Sequence, residues 1–170
     1  VSQLGYMVMA IGVGAFTTGF MHLVTHAWFK ACLFLASGSV IHAMHVSMHH
    51  AHDHSMDAQD IRNMGGLGKM MPLTMLSFTL AALAMIGLPP LTGFITKWEL
   101  SLGAIRSGQP YYIILLLTSS LLNLVYYSPI IISAFFKESV SDKIKDYKDE
   151  TSWRMLVPIS VLALSTIIFD

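Results

Sequence analysis

Three side chains that accept and release protons recur at intervals of four: His22, His26 and Lys30, in the run HLVTHAWFK. On a helix, residues four apart stack one above another, so the three form a single polar stripe about 12 Å long. The run around them is apolar enough to lie in a membrane. A charge near a bilayer centre costs roughly 2.5–3.5 kcal/mol on insertion scales, so such groups are rare and mark function. Imidazole titrates near neutral pH and suits a proton relay. A lysine that can switch charge acts strongly on its neighbours in low dielectric. The competing reading makes the two histidines packing residues and lets Lys30 snorkel to a surface. Three in register within one apolar run favour the relay.

A second pair, Lys97 and Glu99, follows the break Gly87-Leu-Pro-Pro-Leu-Thr-Gly93. Two prolines cannot continue a helix, because each removes a donor and its ring clashes with the preceding turn. Interrupted hydrophobic segments point to binding or conduction sites in transporters. Lys97 and Glu99 lie about 200° apart on a helix, so they face different ways. Lys97 is near the start of the piece after the break, where the positive end of the helix dipole acts on its charge. An interfacial anchor is the alternative for this pair.

The elements that must position these groups are membrane spans. The chain has 170 residues, 54% hydrophobic and 12% charged. A soluble domain carries about 25% charge, so this is a polytopic membrane protein and the fold class is all-α, a transmembrane helix bundle with one interrupted helix. A formal net charge of zero argues against a nucleic-acid partner. The chain opens at Val1 and closes at Asp170 directly after an apolar stretch, and is read as one membrane domain, an internal fragment of a longer protein. The expected spans are 1–14 (a cut helix end), 16–43, 72–88, 93–107, 111–136 and 153–169. Aqueous loops are expected at 44–71 and 137–152, with a short surface helix starting at Asp57-Ala-Gln-Asp60. Five cations against three across the loops favour a cytoplasmic 137–152 segment.

Six histidines crowd between His42 and His54, with Asp53 and Asp57 near. Their spacing matches no defined metal site, and a solvated or proton-collecting surface is the reading kept; a Zn²⁺-binding loop is the alternative. Cys32 is the single cysteine, so no intrachain disulfide forms. No phosphate-binding loop, dinucleotide loop, paired cysteine ligands or nucleophile elbow is present. No catalytic, cofactor-binding or metal residues are assigned in this chain.

Four motifs in order, VSQLGYM, HLVTHAWFKACLFLASGSVIHA, DIRNMGGLGKMMP and GLPPLTGFITKWEL, resemble the antiporter-like membrane subunits of respiratory complex I, of the NADH:quinone oxidoreductase subunit L type. The superfamily is shared with Mrp-type sodium/proton antiporters, membrane-bound hydrogenases and the deazaflavin-dependent dehydrogenases of methanogens. The resemblance covers about residues 1–137. It implies a proton-translocating subunit with no redox site of its own, in a complex whose partner subunits hold NAD(H), flavin, iron–sulfur clusters and quinone. It implies an energy-transducing membrane, the prokaryotic cell membrane first. It implies a central protonation site at Lys30, fed by His22 and His26, and an exit-side relay at Lys97. Many subunit L sequences carry an acidic residue directly after that lysine; here Trp98 intervenes before Glu99, which leans toward the hydrogenase or Mrp relatives. An antiporter or hydrogenase subunit without NADH linkage is the alternative function.

Overall fold

The structure, a computed structural model, describes residues 2–50, 57–138 and 150–168. Helix α1 spans Ser2–Gly12, α2 Phe16–His50, α3 Leu67–Met70, α4 Pro72–Ile86, α5 Thr92–Arg106, α6 Tyr112–Ile131 and α7 Trp153–Ile168. The described residues are otherwise turns, a 3₁₀ turn at Ile61–Asn63 and a π-helical turn at Ile132–Phe136.

Helix α2 is the central element, packed against α1, α4, α5 and α7. It is long because nothing in 16–50 breaks it: no proline occurs, and Gly19, Ser39 and Ser47 sit on its buried side. Its buried side, Phe29, Cys32, Leu33, Ala36, Val40 and Met44, meets Phe78, Ala81 and Met85 of α4 and Ile159 and Ala163 of α7 in one apolar core. Burying a Leu- or Phe-sized side chain is worth about 1.5–3 kcal/mol against water. In lipid that gain is absent, and close packing of small residues carries the contact instead. A methyl on Gly19 would stand 3.0 Å from the Ala10 Cβ, and one on Gly103 would stand 3.0 Å from the Ala15 Cβ. These two contacts bring α1 and α5 close against the start of α2.

Gly14, at φ +77, turns the chain from α1 into α2, so the two run antiparallel. At the interruption, α4 ends on Gly87 at φ +88, whose N–H caps the Leu83 and Ala84 carbonyls. The prolines fill the turn, and α5 restarts at Thr92. Gly93 packs so tightly on α4 that an added Cβ would lie 1.7 Å from the Ala84 oxygen. The start of α4 is closed from far away in sequence. Glu150 accepts from Leu73 N at 2.7 Å, Thr74 N at 3.4 Å and Thr74 Oγ1 at 3.1 Å. Ser39, Thr74 and Thr151 form a buried hydroxyl cluster beneath it.

Helix α2 and the Tyr112–Phe136 stretch are long and apolar enough to cross a membrane; Pro72–Ile86 and Trp153–Ile167 are shorter apolar helices. Helix α6 turns Ile114, Leu117, Leu121 and Val125 outward, an apolar face where a water-soluble bundle places charge.

Two expectations need correction. The loop expected from residue 44 starts later: α2 continues through His50, because Met44, Ser47 and Met48 are buried on its inner side. Asp57-Ala-Gln-Asp60 leads only into a single 3₁₀ turn, not an α-helix. Residues 58–59 turn, and the Asp60 carboxylate caps the Ile61–Asn63 turn by accepting from Arg62 N. Hydrogen bonds from the Arg62 side chain hold that carboxyl below its usual range. Asp at a cap competes with helix in this way. His52, Asp53, His54 and most of the 137–152 segment lie outside the described residues.

Candidate functional site

The polar residues of the stripe are not equivalent. His22 is 2% exposed, wedged between α1 and α5. Its Nδ1 is 2.9 Å from Thr96 Oγ1 on α5, and its Nε2 is 2.9 Å from Gln3 Oε1 on α1. His26 is half-buried one turn further, its ring 6.3 Å from that of His22 and edge-on to Phe29 at 5.3 Å. Lys30 is half-buried another turn on, with Nζ 5.5 Å from the Phe34 ring. No hydrogen bond or ion pair reaches Lys30 Nζ among the described residues.

Helix α5 runs antiparallel to α2 and adds rungs to the stripe. Ala15 faces Gly103, Thr18 donates to Glu99 Oε2 at 3.4 Å, and His22 meets Thr96. Thr18 is four residues before His22, so it extends the stripe by one turn. Glu99 is exposed and stands at that end, beside Thr18.

Lys97 faces the other way, as the 200° offset requires. Its Nζ donates to Met85 O at 3.0 Å, Ile86 O at 2.8 Å and Ser120 Oγ of α6 at 2.8 Å. An ammonium has three protons, and here each has an acceptor. The two carbonyls are the last of α4, left without helical partners by the break. This corrects the expected electrostatics. Lys97 is the sixth residue of α5, past the first turn, and its ammonium lies instead at the negative C-terminal end of α4. The Tyr6 ring stands between the two sites, edge-on to His22 at 5.8 Å and 5.6 Å from Lys97 Nζ.

Three buried polar atoms have no protein partner among the described residues: Gln3 Nε2, Thr92 Oγ1 and Asn123 Nδ2. Gln3 and Thr92 belong to the shell around His22, Thr96 and Lys97. Buried polar groups left open in this way are the places where ordered water binds.

The four histidines His42, His45, His49 and His50 line the exposed side of the end of α2. No group of three or more metal-ligating side chains comes together among the described residues. Cys32 is buried, its thiol on the Ser77 and Ile159 carbonyls. Sequence reasoning missed Gln3, Tyr6, Thr18, Thr96 and Ser120. Thr18 alone carried a signal, its place four residues before His22.

The helical bundle with an interrupted segment is the fold of antiporter-like membrane subunits, as two superpositions show. The chain superposes with a TM-score of 0.81 on a chain of the membrane-bound sulfane sulfur reductase, an archaeal respiratory membrane complex, at 24% identity over 99% of this chain and 26% of that one. It superposes on a chain of the Mrp complex from a Dietzia species with a TM-score of 0.79, at 21% identity over 98% of this chain and 37% of that one. Residues 1–123 match the family described as NADH:quinone oxidoreductase/Mrp antiporter, transmembrane, and the chain belongs to that family. It is 54% identical over 109 residues to the NAD(P)H-quinone oxidoreductase chain 5 of a Picosynechococcus species, covering 64% of this chain and 16% of that protein. It is 39% identical over 166 residues to the NADH-quinone oxidoreductase subunit L of Rickettsia conorii, covering 97% of this chain and 23% of that protein. The chain thus spans about a sixth to a quarter of the length of these curated relatives.

Proposed function

We propose that the protein is a proton-translocating, antiporter-like subunit of a redox-driven NADH:quinone oxidoreductase of the complex I type. The observation that carries this reading is the paired arrangement around the break. Lys97 is tied to three acceptors behind Tyr6, and His22 is bonded across to the same α5 helix. Protons would pass along the stripe between His22, His26 and Lys30. They would continue through water held by the open polar groups to Lys97, with Glu99 and Thr18 at the outer end of the stripe.

The chemistry of each group supports its role. Lys97 Nζ can shed one proton without losing its place. The two carbonyls keep two N–H donors, and Ser120, which both donates and accepts, turns its hydroxyl hydrogen toward the freed lone pair. Among the described residues no hydrogen bond or ion pair holds Lys30 Nζ, which lies only against the Phe34 ring, so its position can follow its charge. Low dielectric around these groups makes a charge change at one felt at the next.

The relatives named for quinone oxidoreductases support coupling to electron transfer. NAD(H), flavin, iron–sulfur clusters and quinone belong, in this reading, to partner subunits, and this chain contributes no redox site. The membrane is the energy-transducing one, the prokaryotic cell membrane first.

The test is Lys30→Ala in the full-length subunit, assembled in its complex and sealed into vesicles. Dye-monitored proton uptake should fall about tenfold or more while the complex remains intact. Uptake at the unsubstituted rate would overturn the assignment.

A further inference from the structure

His22 has both ring nitrogens engaged, and its two partners differ in chemistry. Gln3 Oε1, 2.9 Å from Nε2, is an amide oxygen and only accepts. With that oxygen facing the ring, Nε2 carries the ring hydrogen. In the neutral ring Nδ1 then presents its lone pair, and the Thr96 hydroxyl 2.9 Å away donates to it. Gln3 is itself buried, and its amide nitrogen has no protein partner among the described residues.

Thr96 has a second place for its hydrogen. Its Oγ1 lies 3.5 Å from both Thr92 O and Gly93 O on its own helix. When His22 is doubly protonated, the hydroxyl can swing its hydrogen to one of these carbonyls and offer a lone pair to the Nδ1 hydrogen. The heavy atoms stay where they are. The groups facing the ring are Gln3 and Tyr6 from α1, Thr96 from α5 and His26 on its own helix, with Lys97 beyond Tyr6.

We propose that Gln3 and Thr96 are positioning residues that fix His22 as the Nε2–H tautomer, with its basic nitrogen, Nδ1, turned toward the helix that carries Lys97. Gln3 is the fixed acceptor and Thr96 the hydroxyl rotor that serves both charge states. A histidine's useful nitrogen is set by the bond its other nitrogen makes. The proposal rests on reading His22 as a proton carrier, and it adds which nitrogen does the carrying and what holds it.

The test uses the full-length subunit in its complex, labelled with ¹⁵N-histidine, with His22 signals assigned by difference against His22→Asn. The unsubstituted protein should show the Nε2–H pattern alone. Gln3→Leu, which keeps bulk and removes the acceptor, should lower that pattern to about half with Nδ1–H making up the rest. Gln3→Glu, which keeps an acceptor oxygen, should restore it, and serves if the leucine variant does not assemble. Thr96→Val should cut proton uptake about tenfold, and Thr96→Ser should not. An Nδ1–H pattern in the unsubstituted protein, or an unchanged pattern in Gln3→Leu, overturns the proposal whatever the pumping rate. A shifted tautomer with normal pumping would keep the clamp and remove His22 from the proton path.

Discussion

Replacing Gly93 by Ala puts a methyl carbon 1.7 Å from the Ala84 carbonyl oxygen. Real Cβ contacts essentially never fall below 3.0 Å, so α5 must move from α4 by at least about 1.3 Å. That same shift is imposed on Lys97, one turn along α5. Its bonds to the Met85 and Ile86 carbonyls, now 3.0 and 2.8 Å, would stretch to about 4 Å and cease to be hydrogen bonds. Overpacking costs about 1–3 kcal/mol, and each lost bond to a charged group about 1.5–3 kcal/mol before relaxation. A misplacement of about 1 Å in a working site can cost roughly 100-fold in rate. Proton uptake by vesicles carrying the Gly93→Ala complex should therefore fall at least tenfold, with a lower melting point in detergent. Gly38→Ala is the control. A Cβ there meets nothing within 4 Å, and Ala is the better helix former by roughly 0.8–1 kcal/mol. If the Gly93 and Gly38 variants pump and melt alike, the close contact at the break does not hold Lys97 in place and the reasoning fails.

Two further outcomes follow from the same geometry. Glu150→Ala should lower stability by about 1–2 kcal/mol, because it removes a charged cap from Leu73 N and Thr74 N at the start of α4; Glu150→Gln should recover about half, read from detergent melting curves. Ser120→Ala takes one of three acceptors from Lys97 Nζ and should cost about 1.5–3 kcal/mol, with Ser120→Thr near normal. Faster amide exchange in α6 and slower proton uptake would show it.

The helical class and the break at 87–93 were legible because they are local. Apolar runs and paired prolines need no knowledge of what packs where. The stripe was legible for the same reason, since spacing by four fixes a face. The partners on that face were not. Gln3 and His22 lie 19 residues apart, and Thr96 and His22 lie 74 apart. Only the antiparallel packing of α1 and α5 on α2 joins them, and that depends on small residues such as Gly19 and Gly103 at the contacts. Lys97 shows the cost of local reasoning: its place in α5 suggested the positive end of that helix, while its long side chain reaches back to the carbonyls of α4. The end of α2 was missed because a histidine-rich stretch reads as loop when its buried methionines are not weighed as an inner face. Asp57 and Asp60 read as a helix start, and Asp60 caps the start of no more than a single 3₁₀ turn.

The central claim is that buried titratable groups on either side of the break carry protons. Lys97→Met tests it most directly, because methionine keeps much of the side chain's length and bulk and removes every proton. Proton uptake is measured in vesicles bearing the complex with the full-length subunit, beside Lys69→Met at the end of α3. The account predicts that uptake falls about tenfold or more for Lys97→Met and stays normal for Lys69→Met. Equal, undiminished uptake in both would contradict it.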